Sequence, residues 1–291
     1  MDFWDNERIK MGYRDNRKEH IEGYINKKYI DGFKKGEFKG KPNDYIICKD
    51  DARKNIIPPL SNEYKIDSKK NVLTNENNTI ELKLDWRYNY LTSSSTLSAC
   101  FFALLLEDQE KFKKFLKWLF ENYYNNTGFS NAEINDISVK TEYIDKRIYG
   151  GDGSHIDALI SFYANEEQYN IFVEIKYCED KYGVKTNLSE VGEKLKKQHQ
   201  DFLELKNIDA DYPKYFQIIR NLYQLRNAAN DYCLFLLPKA NESAYNEIKC
   251  GIKELASEKM ALANRIAVVD FAKAVKEMFG ENSDLYQKYF A

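Results

Sequence analysis

The sequence predicts an α/β protein with a central mixed β-sheet flanked by helices. Three strand-like segments follow one another at 134–144, 156–163 and 171–177, and amphipathic helical segments lie before and after them. The later segment 232–238 is apolar throughout, which is typical of a strand covered on both faces of its sheet. The predicted order α-β-β-β-α-α-β-α-β-α indicates one sheet between layers of helices.

Length and charge limit the function classes. The chain has 291 residues and a net charge of −2, so it lacks an overall basic signature for nucleic acid. Residues 1–90 carry 19 lysines and arginines against 16 acids, a net charge of +3. We predict that residues 1–90 form an N-terminal arm with one or two short helices packed on a core of residues 91–291.

The cysteines and the apolar segments bear on the compartment. None of the five cysteines falls in a C-x-x-C pair, and the three histidines complete no zinc pattern. The charged N-terminus does not resemble a signal peptide, and the longest apolar run, 99–106, is too short to span a bilayer. We therefore expect a cytoplasmic protein with reduced thiols and no membrane association.

The segments before the hairpin have clear boundaries. Serines and a threonine at 92–95 supply N-caps for a helix over 96–106, and a second helical pattern continues through residue 120. The strand 134–144 carries Glu142, and the glycine-rich loop 150–154 leads into the hairpin.

The segments after the hairpin are mainly helical. Helices are predicted at 188–205 and at 213–229, the second with Pro213 at its start. Gln217 and Arg220 then lie on one side of this helix because they are three residues apart. A helix at 242–257, a strand at 265–270 and a closing helix complete the chain.

The hairpin 155–177 carries the chemistry. Side chains alternate along a strand, so Glu174 and Lys176 share one face, and pairing of the two strands brings Asp157 close to that face. Buried charges are costly unless they are paired, metal-bound or catalytic. Two converging carboxylates offer the hard oxygen ligands that Mg²⁺ prefers, and the lysine could orient or deprotonate a water, or stabilise charge on a phosphate.

The tripeptide Glu-x-Lys is a weak signal by itself because it occurs seven times in this chain. Only Glu174 lies inside an apolar strand that follows an acid-bearing strand. The alternative interpretation is a structural ion pair of Glu174 with Lys176 at a sheet edge. Glu142 is a candidate third carboxylate, and an exposed strand acid is its alternative.

The combined order of motifs resembles the PD-(D/E)xK nuclease superfamily and, within it, a family of bacterial restriction-endonuclease-like proteins. The similarity spans residues 90–240 and leaves out the N-terminal arm. The matching stretches are Ser94, Ser95, Ala99, Cys100 and Phe101 at a helix start, Glu142-Tyr143, Gly153-Ser154-His155-Ile156-Asp157, Glu174-Ile175-Lys176-Tyr177-Cys178-Glu179, and Gln217-Ile218-Ile219-Arg220-Asn221. The resemblance implies a restriction-endonuclease-like core.

It also implies a metal site. Asp157 and Glu174 would hold Mg²⁺ (or Mn²⁺), with the backbone carbonyl of Ile175 as a further ligand. Lys176 would position the attacking water or stabilise the pentacovalent phosphate, and Glu142 would be an accessory metal or base carboxylate.

The helix residues take supporting roles in the same resemblance. Gln217 would brace the site, and Arg220 would contact the scissile phosphate. Two departures are present: Ile156 stands where the family's nominal proline precedes the aspartate, and Gln198 is a rival for the helix glutamine.

The implied function is metal-assisted phosphodiester hydrolysis by a Mg²⁺-dependent deoxyribonuclease, a DNA endonuclease of restriction or repair type. Its partner would be nucleic acid, with DNA favoured. Because cutting both strands of a duplex usually takes two active sites, a homodimer is also expected. The alternative is a non-catalytic nucleic-acid-binding or protein-interaction module on the same fold. The intact Asp, Glu and Lys set argues against that alternative.

Overall fold

The N-terminal part of the chain contains short strands as well as a helix. The structure, a computed structural model, describes residues 12–29, 32–57, 60–75, 79–85, 87–144, 155–179, 190–205, 207–226, 228–256 and 260–291. The elements before residue 90 are α1 (Tyr13–Lys28), β1 (Lys35–Phe38), β2 (Lys41–Ile47), α2 (Leu60–Glu63), β3 (Tyr64–Asp67), β4 (Val72–Asn75) and β5 (Glu81–Lys83). Two helices agree with the predicted number, but α1, with 16 residues, is not short, and the strands were not predicted. They are mostly three or four residues long, too short for a clear alternation of apolar side chains.

The rest of the chain follows the predicted order closely. Its elements are α3 (Ser94–Glu107), α4 (Gln109–Asn122), β6 (Ile134–Tyr143), β7 (Ile156–Ala164), β8 (Glu167–Ile175), α5 (Glu190–Leu203), α6 (Ile208–Leu222), β9 (Asp231–Leu237), α7 (Glu242–Ala256), α8 (Met260–Ala263), β10 (Ile266–Asp270), α9 (Phe271–Phe279) and α10 (Asp284–Tyr289). Ser93 caps α3, since its side chain accepts a hydrogen bond from the Thr96 N–H. The loop at 150–154 and residues 188–189, 227 and 257 of the predicted helices lie outside the described residues.

A five-stranded mixed sheet forms the centre, in the order β10-β9-β8-β7-β6. β6, β7 and β8 pair antiparallel, and β8, β9 and β10 pair parallel. The chain therefore makes a meander first and then crosses over twice through helices. The predicted α/β class with a central mixed sheet and flanking helices is confirmed.

Helices cover both faces of this sheet. On one face α3 and α4 pack against side chains such as Val173 and Leu234. On the other face α6 and α7 pack against the alternate residues of β9, among them Cys233 and Phe235. β9 is buried along its whole length, as its apolar sequence predicted.

Buried side chains of the N-terminal part belong to the same core as α3. Ile21, Ile47 and Leu82 lie in one apolar cluster with Phe101 and Val173. The boundary at residue 90 between an arm and a nuclease-like domain stays a prediction. In the described part of the chain, no helix combines the length and apolar character needed to cross a bilayer.

The start of α6 was predicted wrongly. The helix begins at Ile208, so Pro213 lies inside it and not at its first turn. Its predicted end at 229 was wrong too, since α6 ends at Leu222 and a short 3-10 helix, Tyr223–Arg226, follows. Tyr215, two residues after Pro213, has non-helical torsions (φ −119°, ψ 24°). A proline in a helix interior removes one hydrogen bond and clashes with the preceding turn, which accounts for the kink. The short helix α10 was not predicted.

Candidate active site

The β7–β8 hairpin brings Asp157 and Glu174 together. The antiparallel register pairs Ala158 with Val173, so the next step outward places Asp157 opposite Glu174 on the same face of the sheet. Asp157 Oδ2 accepts a hydrogen bond of 2.5 Å from the backbone N–H of Ile175. The two acids are therefore held by strand register and by the backbone.

Glu174 is a buried carboxylate, 2% exposed, with donors on both oxygens. Lys176 Nζ lies 2.9 Å from Oε1, and Asn221 Nδ2 lies 3.0 Å from Oε2. Arg220 Nη2 is 3.5 Å from the same Oε2. Burial by itself would raise the pKa of Glu174, but Lys176 and Arg220 outweigh burial and lower it, so Glu174 is ionised.

Asp157 and Lys176 respond to Glu174 in opposite ways. Burial, followed by the charge of Glu174, raises the pKa of Asp157 well above its ordinary value. For Lys176, burial lowers the pKa, but Glu174 and Asp157 outweigh burial and raise it. Lys176 is therefore an ammonium group, which suits it to stabilise negative charge and not to accept a proton.

Glu142 has an unusual backbone conformation within β6. The ladder with β7 pairs Thr141 with Ala158 and Tyr143 with Ile156, and Glu142 between them has a left-handed φ of +48°. Its Oε2 is 3.1 Å from Nδ1 of His155. Burial raises the pKa of the Glu142 carboxyl, and His155 opposes that rise. A left-handed non-glycine residue is strained, and such residues concentrate at functional sites.

The turn of α6 after the kink supplies the helix side chains. Arg220 Nη2 donates to the carbonyl oxygen of His155 at 3.2 Å, and Gln217 lies one turn earlier on the same side. Gln198 is exposed on α5, where its Oε1 accepts a hydrogen bond of 3.4 Å from the Tyr223 hydroxyl.

One cavity of about 560 Å³ collects the predicted side chains. Six of them line it: Glu142, Asp157, Glu174, Lys176, Gln217 and Arg220. Gln217, and not Gln198, is thus the helix glutamine that reaches the cavity. Ile175 contributes its backbone N–H to Asp157.

The cavity has further walls that sequence reasoning missed as site residues. Arg14, Asp85 and Arg87 come from the N-terminal part of the chain, for which no motif indicated a site role. His155, two residues before Asp157, also lines the cavity, and Asn221, directly after Arg220, donates to Glu174. Both stood inside the matching stretches, and that proximity to assigned residues was the available signal.

The serines at the start of α3 were interpreted as helix caps, and only Ser93 was confirmed in that role. Ser95 Oγ accepts a hydrogen bond of 2.8 Å from the backbone N–H of Asp85. Ser94 Oγ donates to Glu179 Oε1 at 3.1 Å. Glu179 Oε2 in turn accepts from the backbone N–H groups of Tyr177 and Cys178, which fixes the chain just after Lys176.

The carboxylate oxygens of Asp157 and Glu174 are of the kind that a hard divalent cation takes as ligands. Within the described ranges, no group of three or more His, Cys, Asp or Glu side chains is arranged to hold a metal ion. The ligand set under consideration is smaller: two carboxylates and a backbone carbonyl. Because burial and a neighbouring carboxylate raise the pKa of Asp157, a cation between the two acids would stabilise both in the ionised form.

Comparison with known proteins identifies a family. The model of a protein family described as "restriction endonuclease associating with ARP" matches residues 13–291. No curated protein and no solved structure matches the chain significantly. Since the family match covers nearly the whole sequence, including the N-terminal part that lines the cavity, the chain belongs to the family of restriction endonucleases associating with ARP.

Proposed function

We propose that the protein is a Mg²⁺- or Mn²⁺-dependent nuclease with a PD-(D/E)xK core, and that it acts as a DNA endonuclease of restriction or repair type. The observation that supports this most directly is the convergence of Asp157, Glu174 and Lys176 in one cavity with Gln217 and Arg220. The family's description as a restriction endonuclease agrees with it. The proposed compartment is the cytoplasm.

The chemistry follows from the charges of the site. Asp157, Glu174 and the Ile175 carbonyl would hold the metal, which supplies Lewis-acid chemistry at the scissile phosphate and a more acidic water. Lys176, an ammonium braced by Glu174, stabilises the charge that develops on the phosphate.

The remaining side chains position the substrate and move protons. Arg220 is held by Glu174 and His155 and faces the cavity, where it would contact the phosphate. Glu142, beside His155, is placed to accept a proton from water. Gln217 orients these groups from α6. One such cavity per chain cuts one strand at a time, so we propose a homodimer for cleavage of duplex DNA.

The first prediction is that cleavage depends on these side chains. Plasmid and oligonucleotide substrates would be incubated with Mg²⁺ or Mn²⁺ and wild type, Asp157→Asn, Lys176→Ala or Lys140→Ala. Lys140 is an exposed lysine on β6 and serves as the matched control. We expect no cleavage by Asp157→Asn, a loss of about 10²–10³-fold in Lys176→Ala, and no change in Lys140→Ala.

Equal cleavage by wild type and Lys176→Ala would mean a contaminating nuclease or the wrong lysine. Absence of cleavage by wild type on single-stranded, double-stranded and branched substrates with both metals would favour a binding module instead.

A specific observation favours that second candidate, a non-catalytic module. The oxygens of Glu174 already have Lys176, Arg220 and Asn221 as partners, as in a structural ion-pair cluster. Calorimetric titration with Mn²⁺ distinguishes the two candidates. A nuclease shows uptake that disappears in Asp157→Asn, whereas a structural cluster shows no carboxylate-dependent uptake.

A further inference from the structure

The candidate active site by itself is a poor attractant for a polyanion. The cavity is lined by four cationic side chains and five carboxylates: Arg14, Arg87, Lys176 and Arg220, and Asp85, Glu142, Asp157, Glu174 and Glu179. The whole chain also carries a net charge of −2. Since phosphate contacts from lysine and arginine supply most of the non-specific affinity for DNA, basic groups elsewhere on the surface are needed.

The hairpin of β1 and β2 offers such groups. Residues 34–47 contain four lysines and two acids, a net charge of +2, and all six of these side chains are exposed. Lys35 is paired with Asp44 at 2.5 Å. At the tip, Phe38 is 46% exposed, and Lys39 Nζ lies 5.3 Å from the centre of its ring.

The turn of this hairpin holds a lysine in an unfavourable conformation. Phe38 pairs with Lys41, so Lys39 and Gly40 make a two-residue turn, with φ of +52° and +74°. Glycine, asparagine and aspartate are the residues favoured where both turn positions need positive φ. A lysine at the first position is strained and keeps a positive charge at the tip, which points to a role for that charge.

The base of the hairpin is bonded to the wall of the cavity. Ile46 forms a β-bridge with Tyr90, the Ile47 N–H donates to the Asn89 carbonyl at 2.9 Å, and the Leu91 N–H donates to the Tyr45 carbonyl at 3.0 Å. Tyr90 itself lines the cavity. Lys41 and Ile46 are five positions apart on β2, so the tip lies about 17 Å along the strand from this wall. That span corresponds to about five base pairs along a duplex.

We propose that the β1–β2 hairpin is a DNA-contacting arm, in which Lys39 and Lys41 bind backbone phosphates about five base pairs from the cleavage site and Phe38 packs on the sugar edge. This inference rests on the proposed nuclease function. The hairpin adds positive charge beyond the cavity, whose side chains and proposed divalent cation together sum to only +1. Its hydrogen bonds to 89–91 would hold bound DNA in a defined position relative to the cavity.

The test measures binding apart from cleavage. Fluorescence anisotropy of a labelled 30-base-pair duplex would be followed with Ca²⁺ in place of Mg²⁺, over a series of salt concentrations. The variants are Lys39→Gln with Lys41→Gln, Phe38→Ala, and Glu37→Lys. The matched control is Lys69→Gln with Lys70→Gln, two exposed lysines in the β3–β4 turn.

We expect the Lys39/Lys41 variant to bind at least about tenfold more weakly at 0.1 M salt, with its salt slope reduced by about two. Phe38→Ala should weaken binding without changing the slope. Glu37→Lys should bind more tightly and steepen the slope by about one, a gain that misfolding cannot produce. The Lys69/Lys70 control should bind as wild type does.

Equal binding by wild type, the Lys39/Lys41 variant and Glu37→Lys would overturn the inference alone and would leave this surface to a protein partner. The inference would also be overturned if the Lys69/Lys70 control weakened binding as much as the Lys39/Lys41 variant does. The loss of affinity would then follow from the lower net charge of the protein and not from contacts of the hairpin. Wild type that neither binds nor cuts any duplex would overturn the proposed function together with the inference.

Discussion

At the scale of single residues, the candidate site depends on a buried anion, Glu174, and on the groups that balance it. Removing one partner of a buried charge costs more than the pair contributes, because the remaining charge keeps its desolvation penalty. Asn221 is the neutral member of this set, 1% exposed, and its Nδ2 donates to Glu174. Its effect on stability can therefore be measured without changing the charge of the site.

Asn221→Ala should lower the free energy of unfolding by about 1–3 kcal/mol, since a carboxylate oxygen of Glu174 loses its donor in a buried place. Asn230→Ala is the matched control: Asn230 is half-buried, and its Nδ2 donates a hydrogen bond of 3.2 Å to Glu167 in a solvent-exposed place. That control should change stability by less than about 0.5 kcal/mol. Urea unfolding of both variants measures the difference, and equal effects would mean that the Glu174 contact is dispensable.

At the scale of elements, the position of α6 decides which side chains enter the cavity. The helix is kinked at Tyr215, and its following turn carries Gln217, Arg220 and Asn221. α7 packs closely on it at Gly251, where a Cβ would lie 2.8 Å from Ile218 Cδ1 and 3.0 Å from Tyr215 Cδ1. The glycine thus sets the distance between the two helices.

Gly251→Ala should lower stability by about 1–3 kcal/mol because the added methyl group overpacks this contact. Gly23→Ala in α1 is the control, since a Cβ there meets nothing within 4 Å. It should raise stability by about 0.5–1 kcal/mol through helix propensity. Urea unfolding measures both variants, and we expect changes of opposite sign in the free energy of unfolding. A stabilising Gly251→Ala would show that α6 and α7 have room between them.

At the scale of the whole molecule, the C-terminal helix fastens the N-terminal part of the chain to the core. Lys288 on α10 is buried and donates to the backbone carbonyl of Asn55 and, at 3.0 Å, to Asn55 Oδ1. Asn55 Nδ2 then donates to the carbonyls of Tyr88 and Tyr90, at 3.1 and 2.9 Å. Because Tyr90 lines the cavity, this buried network connects α10 and the segment around Asn55 with the candidate site.

Burial lowers the pKa of Lys288 from 10.5 to about 7. Between these pH values the unfolded chain binds a proton that the folded chain does not, so this lysine makes stability rise with pH from about 7 to 10.5. Relative to Lys288→Met, wild type should gain up to about 1.4 kcal/mol for each pH unit between 7 and 9. Urea unfolding at three pH values measures this.

The exposed Lys239→Met is the control, and its difference from wild type should not vary with pH. A constant difference between wild type and Lys288→Met over the same range would contradict the assigned pKa.

The order of the core elements and the hairpin triad could be predicted from the sequence. Strand alternation and helix periodicity are local properties, so the shared face of Glu174 and Lys176 and the proximity of Asp157 follow from a few neighbouring residues. The start of α6 was predicted wrongly at Pro213 because tertiary packing, notably the contact with α7, holds a kinked helix that local preference would end.

The sequence by itself thus determined the α/β class, the order of the core strands along the chain and the acids of the hairpin. Each of these depends on patterns among residues that are close in the chain. The tertiary structure alone decided that Gln217 and not Gln198 reaches the cavity, and that His155 lies beside Glu142. It also decided that Arg14 and Arg87, far away in sequence, complete the cavity wall. Such placements depend on packing between distant segments, which no local pattern of residues encodes.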